Sequence, residues 1–378
     1  MSLSDRLEPV LGAAGAAARE VDTAGVFPQA AVDALRRSGL LGLTLPTDAG
    51  GLGGGPAELV DVASRLAAVC GSTAMVYLMH VAAAMAVASA PPEARPDLVG
   101  QLASGEKLGT LAFSEAGSRS HFWAPLSQSQ TVDGATVLKA RKSWVTSAGH
   151  ADVYVVSTLT SPERVPAEAP VPIDMFAVDA ASDGVEVAGS YRGLGLRGNG
   201  SAPMTFDLTA AAGDRLGAPG SGFGLMLGVV MPWFNLGNAA VSLGLSRAAV
   251  DAAVEHASGA RLEHIGESLA QLPTIRAQLA RMALDVASLK SYVETTARSI
   301  AAPDDATTLH VLGVKAVAND TALRVTDAAM RVCGGAAFSE HLPVERFFRD
   351  ARAGVVMAPT ADVLYDFYGK AITGQPLF

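Results

Sequence analysis

The chain has 378 residues, of which 49% are hydrophobic, and it carries a formal net charge of −9. A chain of this length can bury a large core and is expected to fold as two or three subdomains. The acidic balance argues against a nucleic-acid partner, because binding to polyanions needs an excess of basic residues. The two cysteines, Cys70 and Cys333, are too few for a disulfide framework and are expected to be buried thiols in a reducing compartment.

The N-terminal residues MSLSDRLEPVL show no secretory signal, because no basic segment is followed by an apolar one. A membrane-spanning helix needs about 18 or more apolar residues in a row, and no segment reaches that length. The nearest, residues 75–90, contains His80 and is followed by two prolines. The sequence therefore predicts a cytoplasmic protein without a membrane partner, and residues 75–90 are expected to form a buried helix.

Residues 1–107 are predicted to form a helical N-terminal domain. In residues 27–43 the apolar side chains recur near helical spacing, and Gly39 is a suitable stop. Residues 56–71 begin with a proline, which the first turn of a helix tolerates, and they keep their apolar side chains on one face. The glycine-rich stretch between these two segments is predicted to be a loop.

Residues 108–213 are predicted to form a β barrel or sandwich, because short β-branched or alternating segments are separated by glycine, aspartate and proline. Residues 214–378 return to a helical pattern and are predicted to form a four-helix bundle. Their long segments rich in alanine and leucine are residues 223–257, 265–301, 305–335 and 355–371. The order of helices, β domain and helices predicts an α+β fold.

Two common kinds of site are excluded by sequence context. Residues 193–198, GLGLRG, match the spacing of a dinucleotide-binding loop, but a strand-like segment follows where that motif needs a helix. These residues are therefore predicted to form a turn. The histidines and carboxylates show no metal-ligand spacing, so no metal site is predicted.

Three other segments resemble the flavin-binding motifs of a known family. They are SEAGSRS (114–120), WVTSAG (144–149) and the C-terminal segment 331–353, which contains CGGAAF and PVERFFRDA. A flavin ring needs hydroxyl or amide donors, and glycine lets the backbone approach the ring closely. In this order and at these separations, the three segments resemble the acyl-CoA dehydrogenase family, and the resemblance covers essentially the whole chain.

The resemblance implies that FAD lies between the β domain and the C-terminal helices. FMN is an alternative, because several residues at the adenosine end of the site differ from those of the family. The residues implied to contact the flavin ring or its phosphates are Ser114, Ser120, Trp144, Thr146 and Thr360.

In the family, the C-terminal segment reaches the FAD of a neighbouring subunit. The resemblance therefore implies a homotetramer or a homodimer. The residues implied to contact the neighbour's FAD, or to lie beside that contact, are Arg261, Arg331, Gly334 and Gly335.

The chain departs from the family at the catalytic base. Family members remove the α-proton of an acyl thioester with a glutamate, which stands at one of two positions. The equivalent positions here are Ala358 and Phe234, and neither side chain can accept a proton. The resemblance therefore implies a flavin protein without the usual base.

Three other residues are candidates for catalysis. Asp362 lies one helical turn beyond Ala358, with a cofactor contact as its alternative role. His80 lies on the early helix that approaches the substrate in flavin monooxygenases of the same fold, with a hydrogen-bonded core histidine as its alternative role. His121 directly follows the first flavin segment and is expected to line the same cavity.

Three functions remain open. The first is an oxidoreductase similar to acyl-CoA dehydrogenases, acting on a thioester of CoA or of an acyl carrier protein, or on a related small substrate, with an unusual base. The second is a flavin monooxygenase of the same fold, which uses reduced flavin and oxygen and needs a dry pocket but no α-proton base. The third is a flavin-binding protein without activity. The missing glutamate favours the second function, and the whole-chain resemblance fits the first two.

Overall fold

The computed structural model describes residues 1–119, 121–133, 135–162 and 172–378. The N-terminal part is helical, as predicted. Its helices are α1 (Leu3–Thr23), α2 (Gln29–Ser38), α3 (Pro56–Val69), α4 (Gly71–Ser89) and α5 (Leu98–Ser104). Short 3₁₀ turns at Leu40–Gly42 and Thr47–Ala49 join α2 to the loop that precedes α3.

Local sequence signals explain where these helices begin and end. Ser2 caps α1, because its hydroxyl accepts from the Asp5 N–H at 3.2 Å while the Asp5 carboxylate accepts from the Ser2 N–H at 2.9 Å. Helix α2 ends at Gly39, which takes the left-handed conformation with a φ of 73°. Helix α3 begins at Pro56, where its missing N–H costs nothing. The predicted end of a helix at Gly39 and the predicted start of a helix at Pro56 are both confirmed.

The middle of the chain forms two main sheets. Their strands are β1 (Gly109–Ala112), β2 (Gln130–Val132), β3 (Ala135–Val145), β4 (Val153–Leu159), β5 (Ile173–Asp179), β6 (Val185–Val187) and β7 (Ala202–Ala210). One sheet has the order β1-β4-β5, with β1 parallel to β4, and the other is antiparallel with the order β2-β3-β7-β6. A hydrophobic cluster containing Leu138, Tyr154 and Phe206 joins the two sheets.

A β-bulge interrupts the pairing of β3 with β7. The register is regular up to Lys142 and shifts before Val145. Bulges change the direction of side chains and are frequent beside functional sites. This bulge contains Trp144, the aromatic residue of the second flavin segment.

The C-terminal part is again helical. Its helices are α6 (Gly222–Leu225), α7 (Met231–Gly259), α8 (Pro273–Ala301), α9 (Thr307–Cys333), α10 (Val344–Val356) and α11 (Ala361–Ile372). A π-helical segment, Met226–Val230, joins α6 to α7, and Pro232 follows it, where the missing N–H removes one α-helical hydrogen bond. Helices α7, α8, α9 and α10 pack together as a bundle.

The start of α8 differs from the prediction. A helix was expected from residue 265, but the strands β8 (Arg261–Leu262) and β9 (Glu267–Ser268) form a small antiparallel hairpin there. Gly266 lies in the turn with a φ of 71°, a conformation that a helix excludes. The helix begins only at Pro273, which suits a first turn.

The observed architecture confirms the predicted α+β fold with helical, β and helical parts in that order. The exact domain bounds at residues 107 and 213 stay a prediction. Two helical stretches are long and apolar enough to cross a membrane: Gly71–Ser89, and Gly222–Gly259, which comprises α6, the π-helical segment and α7. In each of them an 18-residue apolar part is largely buried inside the protein, to 83% and 61% respectively. Burial of this extent is typical of core helices, and the first of them is the buried helix predicted at residues 75–90.

Candidate active site

The described residues enclose a cavity of about 880 Å³ between the β domain and the C-terminal helices. Its walls come from α4, the residues after β1, the end of β3, the loop before β7, the start of α7, α10 and the segment joining α10 to α11. A cavity of a few hundred to about a thousand Å³ suits a cofactor or a drug-sized ligand. The walls combine apolar side chains with a few hydroxyl and guanidinium groups.

The first flavin segment forms one wall through Ser114 and Glu115. The Ser114 carbonyl accepts from the Ser143 N–H at 2.8 Å, which ties this segment to the second one. Ser120 lies outside the described residues, so its predicted cofactor contact stays a prediction.

A buried ion pair supports this wall from below. The Lys142 Nζ lies 2.6 Å from Glu115 Oε1 and also donates to the Ser157 carbonyl at 2.6 Å. The other oxygen of Glu115, Oε2, accepts from the backbone N–H groups of Leu126 and Ser127 at 3.0 and 2.9 Å. Burial lowers the pKa of Lys142 to about 8, although Glu115 opposes that shift. The carboxylate of Glu115 is therefore committed to structure.

The second flavin segment places an aromatic ring and a hydroxyl on the cavity wall. Trp144 is 57% exposed, and its ring stacks on that of Tyr191 with centroids 3.9 Å apart. Thr146 is buried, and its hydroxyl lies 3.3 Å from that of Ser201. Because Trp144 lies at the β3 bulge, its ring faces the cavity instead of following the regular alternation of the strand.

The GLGLRG segment is a loop that lines the cavity, and β7 follows it, so the structure agrees with the predicted turn. Gly195 lies against α10 so closely that an added Cβ would be 2.4 Å from the Arg349 backbone. The Leu196 N–H donates to Asp350 Oδ1 at 2.6 Å, and the Gly198 N–H donates to Ser72 Oγ at 3.2 Å. The glycines here permit close packing between backbones.

Arg349 and Asp350 attach α10 to the rest of the protein. Asp350 is buried, and burial raises the pKa of its carboxyl to about 6. Arg349 donates to Asp22 from Nη1 at 2.7 Å and to Glu345 from Nε at 2.7 Å, and the bond to Asp22 raises the pKa of the guanidinium. These two residues therefore join α10 to α1 and to the loop that contains Leu196.

Both residues that the resemblance matched to the family base lie on the cavity wall. Phe234, near the start of α7, is 7% exposed, and Ala358 lies in the segment between α10 and α11. Thr360 follows Ala358 on the same wall and stands immediately before α11. Among the described residues that line the cavity, the only carboxylate is Glu115, which Lys142 and two backbone N–H groups already occupy.

The structure does not place the three predicted catalytic residues on this wall. His80 is wholly buried, its Nδ1 accepts from the Gly109 N–H at 3.0 Å and its Nε2 donates to the Leu41 carbonyl at 3.0 Å. Burial lowers the pKa of His80 to about 4, so the ring is a neutral core histidine with no free nitrogen, and we assign it a structural role. His121 is exposed against Trp123, and Asp362 is exposed in the first turn of α11.

The residues predicted to contact a neighbour's FAD lie away from the cavity. Gly334 and Gly335 form the turn after α9, Arg331 pairs with Asp327 at 2.8 Å, and Arg261 lies exposed in the β8–β9 hairpin. Their contact with a second subunit stays a prediction. By contrast, the structure brings Ser114, Trp144, Thr146 and Thr360 together around one cavity.

Sequence patterns indicated only weakly two buried lysines that support the cavity wall. Lys142 shares the inward face of β3 with Leu138 and Ala140. Its place in the alternation of buried and exposed residues was the sequence signal available for its burial. Lys315 stands inside the apolar run VLGVKAVA of α9 and is also wholly buried. No sequence signal pointed to Tyr191 as the stacking partner of Trp144.

Profiles of three domains from one family match this chain. They are the acyl-CoA dehydrogenase N-terminal domain over residues 12–106, the middle domain over residues 110–209 and the C-terminal domain over residues 220–373. These matches cover most of the chain, which therefore belongs to the acyl-CoA dehydrogenase family. The resemblance that was inferred from the three flavin segments is confirmed.

Similar proteins agree with this assignment. The probable acyl-CoA dehydrogenase FadE25 of Mycobacterium tuberculosis is 27% identical over 340 residues, which are 89% of this chain and 85% of that protein. The structure of butyryl-CoA dehydrogenase from Megasphaera elsdenii has a TM-score of 0.91 at 24% identity and covers 98% of both chains. TdsC from Paenibacillus, in complex with FMN and indole, has a TM-score of 0.87 at 22% identity, over 98% of this chain and 97% of that one.

Enzymes of this family are FAD-dependent oxidoreductases, so the chain is a flavoprotein enzyme of that class. The cavity fits such a cofactor, because the aromatic ring of Trp144 and the hydroxyl groups of Ser114, Thr146 and Thr360 are among the groups on its walls. These are the residue types that contact a flavin ring and hydrogen-bond to its polar edge.

Proposed function

We propose that the protein is a flavin-dependent oxidoreductase that acts on an acyl thioester or a related small substrate without a carboxylate base at either family position. One observation carries this proposal. Ala358 and Phe234 both lie on the cavity wall, and the one described carboxylate of that wall, Glu115, is held in an ion pair with Lys142. The flavin, when bound, supplies the two-electron acceptor, and the chain supplies the cavity.

The absence of a free carboxylate changes which substrates can react. A positioned general base contributes about 10²- to 10⁴-fold to a proton transfer, and Ala358 contributes none of this. Ordinary saturated acyl-CoA molecules, whose α-protons are weakly acidic, are therefore expected to react slowly. The cavity favours a substrate whose α-proton is itself acidic, or one that is oxidised at a heteroatom, because neither of these needs a protein base.

The residues that remain act by binding and by excluding water. Phe113, Phe122 and Phe234 form an apolar wall, and Met75 and Met79 of α4 extend it. Such a wall strengthens the interaction of the few hydroxyl donors with a bound ligand, because it lowers the local dielectric constant. The substrate group in the cavity is therefore proposed to be compact and apolar, and the thioester carrier (CoA or an acyl carrier protein) is proposed to remain outside.

A second candidate function is flavin-dependent monooxygenation of a small organic molecule. The same apolar wall favours it, since that chemistry needs a dry cavity and no α-proton base. The fold is also shared with TdsC, whose structure holds FMN and indole, a small aromatic molecule without a thioester. FMN is the proposed cofactor in this case.

A homo-oligomer, either a tetramer or a dimer, is also proposed. Phe338, which follows the Gly334–Gly335 turn, is 87% exposed in the single chain, and Val356 at the end of α10 is 76% exposed. Apolar side chains with this exposure suit contact with another subunit. Light scattering of the purified protein tests this, and a monomer at micromolar concentration would contradict it.

Three outcomes of one experiment separate the candidate functions. The purified flavoprotein is mixed without oxygen with a panel of acyl-CoA and acyl-carrier thioesters, and the visible flavin absorbance is followed. In parallel, the chemically reduced protein is given isotopically labelled oxygen and small aromatic substrates. Bleaching by a thioester supports the first proposal, and label in an organic product supports the second. If neither response is seen, both proposals are contradicted and the result supports a flavin-binding protein without activity.

A further inference from the structure

Lys315 is a charged residue buried in the middle of α9. Its side chain is wholly buried, and within the described part of the chain it forms no ion pair with a carboxylate. Burial of an ammonium without an anion is costly unless its hydrogen bonds are satisfied. The position of Lys315 therefore needs a specific explanation, which its contacts supply.

The Lys315 ammonium donates to three backbone carbonyls. They belong to Gly354 at 2.9 Å, Met357 at 3.1 Å and Pro359 at 2.8 Å. An ammonium has three N–H groups, so all of its donors are used. Two of these carbonyls belong to Met357 and Pro359, the residues on either side of Ala358, so the backbone is held both before and after the first base position.

These carbonyls lie where a helix end lacks partners. The last carbonyls of a helix have no intrahelical donor and carry the negative end of the helix dipole. Helix α10 ends at Val356 and has no basic residue in its own last turn. Lys315 therefore caps α10 from the neighbouring helix α9.

Close packing reinforces this cap. Gly354 lies so near the side-chain amide of Asn319, one turn beyond Lys315 on α9, that an added Cβ would come within 2.5 Å of it. The segment from Gly354 to Pro359 thus follows the surface of α9, with the Lys315 ammonium bound underneath it. Three of its residues, Val356, Met357 and Ala358, line the cavity.

We propose that Lys315 is a positioning residue of the active site, which holds the segment around Ala358 at a fixed depth in the cavity wall through three hydrogen bonds. The proposal rests on the geometry of the cavity and holds for either reaction proposed above. Lys315 is not among the described residues that line the cavity, so its effect on the reaction is proposed to be indirect. Its loss is expected to free the segment between α10 and α11 while the bundle remains folded.

A thiol at position 358 reports on this segment. The Ala358→Cys variant is prepared with its bound flavin, and the rate of modification by Ellman's reagent is measured at a pH slightly below neutral. The natural cysteines Cys70 and Cys333 are buried, so their modification reports on opening of the whole fold. The same rates are then measured after adding Lys315→Met, and after adding Lys290→Met as a control in the exposed part of α8.

Lys315→Met is expected to increase the modification rate at position 358 by about tenfold or more relative to Cys70 and Cys333, because hydrogen bonds from a charged donor are strong. Lys290→Met is expected to leave all three rates unchanged. An unchanged rate at position 358, or equal acceleration of all three thiols, would overturn the proposal, since the second result would mean a general loss of stability.

A second variant keeps the test decisive if Lys315→Met is not recovered folded. Lys315→Arg retains the charge, but its planar guanidinium cannot donate to three carbonyls that surround a single nitrogen. It is expected to increase the rate at position 358 by a smaller factor than full removal of the ammonium, again without accelerating Cys70 and Cys333. A modification rate at position 358 equal to that of the Ala358→Cys variant alone would overturn the proposal.

Discussion

Replacing Glu115 with glutamine removes the charge that balances Lys142 inside the protein. The side chain of Lys142 is 0% exposed and that of Glu115 is 5% exposed, with Nζ and Oε1 separated by 2.6 Å. Glutamine keeps the size of the side chain and one carbonyl acceptor, but not the negative charge. Lys142 would then be a buried cation without a counter-ion, directly beneath the first flavin segment.

The expected cost follows from the contacts that remain. Removing one partner of a buried ion pair costs about 3–5 kcal/mol, because the other charge stays buried. The lower end applies here, since Lys142 keeps the carbonyls of Ser157 at 2.6 Å and Phe113 at 3.3 Å as acceptors. The pKa of Lys142 is already lowered to about 8, so loss of a proton limits the cost further. We therefore expect the free energy of unfolding to fall by about 3 kcal/mol.

Urea denaturation followed by circular dichroism measures this loss, and retention of flavin during gel filtration measures its effect on the site. Glu294→Gln, in the exposed pair of Lys290 with Glu294 on α8, is the matched control and is expected to cost about 0.5 kcal/mol or less. The double variant Glu115→Gln with Lys142→Met is expected to recover part of the loss, because no charge is left buried. A cost for Glu115→Gln equal to that of the control would refute this account of the pair.

Three further predictions concern the cavity wall. Ala358→Glu is expected to increase the rate of acyl-CoA dehydrogenation about 10²- to 10⁴-fold over the parent, because it restores a base at a family position. Ala358→Gln is the control and is not expected to increase this rate. Equal initial rates for the two variants would contradict the prediction. Gly195→Ala is expected to lower the free energy of unfolding by about 1–3 kcal/mol, because its Cβ would lie 2.4 Å from the Arg349 backbone. Gly12→Ala in α1, where the space around the glycine is open, is expected to be stabilising. Shifts of the melting temperature with the same sign in both variants would contradict this prediction. Burial lowers the pKa of Lys315 from 10.5 to about 7, so between these pH values the unfolded chain holds a proton that the native chain lacks. The stability of the parent relative to Lys315→Met should therefore rise with pH through this window, and a constant difference in denaturation midpoint would count against it.

Sequence patterns predicted the fold, and they pointed to residues on one side of the cavity. The change from helical spacing to short alternating strands and back predicted the α+β order, since both periodicities are local properties of the chain. Ser114, Trp144 and Thr146 were predicted from motifs, and the structure places them on one wall. The sequence left two roles open for His80, because its partners Gly109 and Leu41 are distant in sequence and only packing brings their backbone groups to its ring.

The sequence by itself predicted that the usual base is missing, because alanine and phenylalanine stand at the positions matched to it and neither can accept a proton wherever it lies. Only the tertiary structure decided that Ala358 and Phe234 face one cavity and that Glu115 is already paired with Lys142. The physical reason is distance along the chain. Lys142 is 27 residues from Glu115, and Lys315 is 39 residues or more from the carbonyls around Ala358, so these contacts form only when strands and helices pack together.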